Sequence, residues 1–107
     1  MTFEELLTKV RGLAGKADTS GMDFLVVQVN VTGKNEGTFY VEVKDGKISV
    51  EPYEYNDRQC AVTISGDNLN KLIDGKLDPV AAFTVRKLTV DGDVSKALEF
   101  SKLIMKK

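Results

Sequence analysis

At 107 residues the chain is sized for one domain, residues 1–107, which buries roughly 65% of its unfolded surface on folding. Its 15 basic and 16 acidic residues leave a net charge of −1, which argues against nucleic acid as a partner, since that calls for a basic stripe. The absence of histidine removes His-based triads, most zinc sites and the usual neutral-pH acid–base group.

No apolar run approaches the ~20 residues needed to cross a bilayer. The opening MTFEELLTKVRG carries acidic residues where a secretory signal needs a basic region followed by an apolar one. Cys60 is the single cysteine and has no internal disulfide partner. The expectation is a cytoplasmic protein.

Thr2-Phe3-Glu4-Glu5 is a capping box, with Thr2 as N-cap and Glu5 three positions on. Phe3, Leu6, Leu7, Val10 and Leu13 follow on one helical face, and Gly15 is a plausible stop. That face is read as packing on the core rather than docking on a membrane. After a loop, Ala17 to Asp23, the run Phe24 to Val31 alternates, with Leu25, Val27, Val29 and Val31 sharing a face. A turn-rich loop from Thr32 to Gly37 leads to a second alternating strand, in which Phe39, Val41 and Val43 point one way. Asp45-Gly46 signals a type I′ hairpin, because that turn needs positive φ at both central residues. Lys47 to Glu51 returns, and Pro52 ends it. These strands form a meander with one apolar face, which the helices must cover.

Tyr53 to Arg58 reads as a surface loop. Cys60, Val62 and Ile64 face inward from a fourth strand, with Cys60 as a small buried hydrophobe. Asp67 is the expected N-cap of a helix carrying Leu69, Leu72 and Ile73, which Gly75 stops. Asp78-Pro79 starts a short helix through Phe83. Thr84 and Val85 are read as leading into a fifth strand, with Leu88 and Val90 inward. Asp93 caps a final helix in which Val94, Ala97, Leu98, Ser101, Ile104 and Met105 lie on one side and Phe100 and Leu103 widen the apolar arc. Lys106 and Lys107 then suit a helix C-terminus. Asp91 and Asp93, flanking Gly92, are explained by turn and cap chemistry. There is no Walker A loop and no G-x-G-x-x-G after a strand, so no nucleotide cofactor is expected. Ser101-Lys102-Leu103 spells a peroxisomal address but is not C-terminal.

Three segments stand out: GTFYVEVKDGKISVE from Gly37, AVTISGDNLNKLIDGKLDPVAAF from Ala61, and KLTVDGD from Lys87 followed by an amphipathic helix. Together they resemble the SCP2-like (sterol carrier protein 2) lipid-binding family. The resemblance implies an α+β fold, a single mostly antiparallel sheet of about five strands with helices covering one face. It implies an apolar tunnel between sheet and helices for a sterol, fatty acid, acyl chain or phospholipid, with no cofactor, no metal and no enzymatic activity of its own. Leu69, Leu72, Ile73, Phe83, Phe100, Leu103 and Ile104 are the expected lining, opposite Phe39, Ile64, Leu88 and Val90 of the sheet. Partners on this reading are an apolar lipid and transient contact with a membrane; a homodimer remains open. The family commonly has glycine before the lysine corresponding to Lys87, whereas this chain has Arg86. A backbone that needs positive φ there strains Arg86, so a different local turn is the expectation, and an arginine beside the pocket mouth bears on headgroup choice. As the sequence ends soon after its last helix, the longer tail some members use near the tunnel is not expected.

Two other readings stand beside it. One is a scaffold with a filled core, dimerising through sheet edges or Tyr53 and Tyr55. The other is a small enzyme, for which Thr84, Ser101 and Cys60 are the nearby polar candidates. A dry tunnel of about 300 Å³ costs about 7 kcal/mol, comparable to the stability of a small domain. Residues 69–83 are therefore expected to close down or stay mobile without ligand.

Overall fold

Thr2 opens the first helix as its sequence dictates. In the computed structural model, which describes residues 2–16, 19, 21–33 and 36–104, its hydroxyl accepts from Glu5 N while Glu5 Oε1 accepts from Thr2 N, both at 3.1 Å. The helix, α1 (Phe3–Ala14), buries Leu6, Leu7, Val10 and Ala14 and ends at Gly15. Strands β1 (Leu25–Thr32), β2 (Gly37–Lys44) and β3 (Lys47–Glu51) form the expected meander. Asp45 and Gly46 have φ of 54° and 75°, so the turn between β2 and β3 is of the primed kind.

The chain then leaves the edge of the meander and reappears on its far side. The sheet order is β3-β2-β1-β4-β5, with β4 (Cys60–Ser65) parallel to β1 and β5 (Leu88–Gly92) antiparallel to β4. The connecting segment is tied to the sheet. Gln59 donates to Phe24 O at 3.1 Å and accepts from Val26 N at 2.9 Å. Tyr55 donates its N–H to Gln28 Oε1 and its hydroxyl to Glu42 Oε2, and its ring meets Tyr40 edge-on. Val26 and Gln28, which alternation turns away from the helices, are consequently buried. Tyr53 is exposed, as a surface loop requires, but Tyr55 is half-buried and structural.

Helices α2 (Gly66–Ile73), α3 (Pro79–Thr84) and α4 (Val94–Ile104) join α1 in covering the apolar face. Asp78 caps α3 by accepting from Ala81 N, with Pro79 at the first helical position. Asp93 Oδ1 accepts from Ser95 N at 3.0 Å at the start of α4. Two local expectations need correction. The N-cap of α2 is Ser65, not Asp67: the helix begins directly where the strand ends, and Ser65 Oγ accepts from Asn68 N. Thr84 closes α3 and Val85 caps it, so neither belongs to the fifth strand. Met105, Lys106 and Lys107 lie outside the described residues, as do parts of the loops expected at 17–23 and 32–37.

The core joins the inward faces of the strands to α1, α2 and α4. Phe39, Leu69, Leu72, Ile73 and Ile104 are fully buried at its centre. Helix α3 joins it only at its margin, through Ala82. Only Ala82 of its residues is buried, and it packs on edge strand β5 and on α4.

Candidate functional site

Two successive helices end in the same way. At the end of α2, Gly75 N bonds to Leu72 O and Lys76 N to Lys71 O. At the end of α3, Arg86 N bonds to Phe83 O and Lys87 N to Ala82 O. Both are Schellman closures, which place one residue in the left-handed region. In α2 that residue is Gly75, with φ of 74°; in α3 it is Arg86, with φ of 62°. The turn keeps its geometry and Arg86 carries the strain. The closure turns the chain sharply enough for β5 to start at Leu88, directly beneath α3.

The short α3 does not cover β5 and α4 completely. An apolar groove of about 230 Å³ lies between the three elements, lined by Val80, Phe83, Leu88, Val90, Val94, Ala97 and Leu98. Val80, Phe83 and Val94 are 56%, 40% and 40% exposed, so the groove opens to solvent along α3 and the first turn of α4. Among the described residues, no ionisable or hydroxyl side chain lines it. Around Phe83, Leu88 and Val90 it continues into a shallower cleft of about 530 Å³, whose remaining walls are Thr84, Arg86 and Thr89.

The sequence-predicted lining divides between two environments. Phe83, Leu88 and Val90 border the groove. Phe39, Ile64, Leu69, Leu72, Ile73, Phe100 and Ile104 are at most 2% exposed and sit in the packed interior behind it. Leu103 packs against that interior, partly buried. Val80, Val94, Ala97 and Leu98 line the groove and are absent from the predicted set. The spacing of the last three, at i, i+3 and i+4 of α4, was a signal available for them.

The titratable groups nearby are not arranged for chemistry. Cys60 is 2% exposed under the turn that joins β5 to α4; burial, and secondarily the negative charge of Asp93, push its thiol up to about 11. Asp93 is held below the usual carboxylate range by its hydrogen bonds from Ser95. Ser101 Oγ donates to Leu98 O, and Thr84 Oγ1 to Val80 O. No group of three or more metal-ligating side chains occurs among the described residues. A separate concavity beside α1 and β3 is bordered by Arg11, whose guanidinium is already engaged by Val50 O and Glu51.

The model of the SCP-2 sterol transfer family matches residues 3–105. Sterol carrier protein 2 of Oryctolagus cuniculus is 37% identical over 71 residues, which are 66% of this chain and 13% of that protein. Hydroxysteroid dehydrogenase-like protein 2 of Mus musculus is 31% identical over 80 residues, 74% of this chain and 16% of that protein. The chain thus spans about an eighth to a sixth of the length of these curated relatives. Among solved structures, palmitated sterol carrier protein 2-like 2 from Aedes aegypti superposes with a TM-score of 0.75 at 19% identity, covering 99% of this chain and 96% of that one. The sec-alkylsulfatase Pisa1 from Pseudomonas gives a TM-score of 0.74 at 19% identity, covering 89% of this chain but 15% of that one. The same fold thus matches a chain of similar length and a small part of a large enzyme. With a family match across nearly all of its residues and the five-stranded, one-side-covered sheet in place, this chain belongs to the SCP-2 sterol transfer family.

Proposed function

We propose that the chain binds an apolar lipid without chemically altering it, in the groove between α3, β5 and α4, and passes it to or from a membrane. The observation that carries this reading is the groove itself, whose described lining residues are all apolar. The family match supports it, as do the palmitate-bound mosquito relatives. Ligand sites commonly occupy 300–1,000 Å³. The groove is somewhat smaller at about 230 Å³, and the adjoining cleft of about 530 Å³ extends it into that range. Each buried methylene contributes about 0.8 kcal/mol, so eight of them supply about 6 kcal/mol before the costs of association.

On this reading Phe83, Leu88 and Val90, with Val80, Val94, Ala97 and Leu98, touch the ligand. The remaining predicted residues form the rigid wall behind, which a longer or bulkier ligand displaces at Phe100, Leu103 and Ile104. A carrier fits better than an enzyme because the described side chains of the groove include no proton donor or acceptor, and burial raises the Cys60 thiol in the core. Membrane contact belongs to the same reading. Among the described residues the exposed large hydrophobics are Phe24, Tyr53, Val80, Phe83, Val85 and Val94, and the last four gather around the groove.

The test is displacement of a fluorescent fatty acid. The expected result is saturable binding in the micromolar range, weakened at least fivefold by Val94→Trp, which fills the groove from its exposed rim. The absence of saturable binding, with a well-folded protein in size-exclusion chromatography, overturns the reading in favour of a filled-core scaffold.

A further inference from the structure

Arg86 is in a conformation that an L-residue other than glycine, asparagine or aspartate rarely adopts, in a position where the preceding helix uses glycine. Residues held in such strain cluster at ligand clamps and active sites. Packing does not account for Arg86, because its side chain is exposed. Its guanidinium has no hydrogen bond or ion pair among the described residues. The side chain borders the cleft that shares Phe83, Leu88 and Val90 with the apolar groove. Among the described residues that wall the cleft, Arg86 is the only charged one, and the Thr84 hydroxyl is already donated to Val80 O. A straight apolar tail laid along Leu88 and Val90 would bring its polar end into the cleft beside a free cation.

We infer that Arg86 selects for an anionic head group, so that the preferred ligand is a single-chain amphiphile carrying a carboxylate, sulfate or phosphate rather than an uncharged alcohol. The inference rests on the lipid-binding reading of the groove and adds to it a ligand class and a residue. The planar fork of arginine suits the paired oxygens of each of these heads. With a net charge of −1 the whole molecule does not draw anions by its overall field, so the preference is local to this side chain.

Dodecanoate and dodecanol share a tail and differ in the head, and isothermal titration of each against the protein, Arg86→Gly and Arg86→Lys separates tail from charge. The parent protein is expected to bind dodecanoate about fivefold more tightly than dodecanol, the size of an exposed charge pair. Arg86→Gly is expected to bring dodecanoate down to the dodecanol level, leave dodecanol unchanged and raise the thermal midpoint. Arg86→Lys is expected to keep only part of the preference, since it retains the charge and loses the fork. A preference for dodecanoate that survives Arg86→Gly overturns the assignment while leaving the groove as a lipid site. Failure of the parent protein to bind either ligand overturns both. The rise in thermal midpoint separates lost recognition from lost folding.

Discussion

Gly75 and Arg86 hold one backbone conformation with opposite consequences for stability. A left-handed L-residue costs about 1–2 kcal/mol, partly offset because glycine loses more freedom on folding. Arg86→Gly should therefore stabilise the protein by roughly 0.5–1 kcal/mol in urea unfolding, and Gly75→Arg should destabilise it by at least as much. The sequence alone exposed this site, since Arg86 stands where the family commonly has glycine; that the turn survives with Arg86 at positive φ needed the three-dimensional structure. Cys60 makes a second case at this scale. Its thiol is raised in the folded state, to about 11, so the stability it contributes is complete below its ordinary value and is lost as pH rises through the folded one. Unfolding free energy should fall between about pH 9 and 11, and Cys60→Ala should remove on the order of 2 kcal/mol of that fall. An identical alkaline slope in the variant would refute the assignment.

At the scale of elements, the junctions carry more than the interiors of helices and strands do. Ser65 is both the last residue of β4 and the cap of α2, so Ser65→Ala should cost about 1 kcal/mol. Asp67 lies in the first turn, where it acts through the helix dipole rather than as the cap, so Asp67→Ala should cost a few tenths. Thermal melts of the two variants distinguish the caps. Gly92 is tighter still. Its φ is 113°, and a Cβ there would lie 2.7 Å from Gln59 O and 3.0 Å from Cys60 Cα. Gly92→Ala is expected to destabilise by more than about 2 kcal/mol. Alternation and capping signals made most elements legible, because period and cap are local properties. The start of α2 was not, because Gly66-Asp67-Asn68 allows a cap at either Ser65 or Asp67. The choice follows from strand pairing, Thr32 opposite Ser65, which is long-range. The parallel pairing of β1 with β4 is of the same kind. It follows from the crossing of residues 52–59, which Tyr55 and Gln59 tie to the sheet.

At the scale of the molecule, inwardness was legible and openness was not. Leu69 and Phe83 read alike as apolar helix residues, yet Leu69 faces the sheet centre and Phe83 stands over edge strand β5, where a six-residue helix leaves cover incomplete. That difference also gives the corner its asymmetry. Val85 is 62% exposed, sits beside Phe83 and Arg86, and lines neither the groove nor the cleft. By contrast, the apolar face of α1 is spent on the core, with Leu6 and Val10 fully buried, so α1 has no comparable face to offer a bilayer without unfolding from the sheet. A membrane-docked orientation that inserts Val80, Val85 and Val94 would point the groove mouth at the lipid. It would also place Arg86 and Lys87 at headgroup depth, where each cation near an anionic surface is worth about 1 kcal/mol. Val85→Ser removes apolar area from the rim without touching the ligand. It should slow delivery of a fluorescent fatty acid to vesicles about fivefold, while affinity for the same probe in solution is unchanged. Delivery by the parent protein should quicken when phosphatidylserine is added to phosphatidylcholine vesicles. Equal delivery rates for the two proteins would instead mean that this corner does not meet the membrane and that the ligand leaves through water. The groove would then remain a lipid site with its mouth turned away from the bilayer.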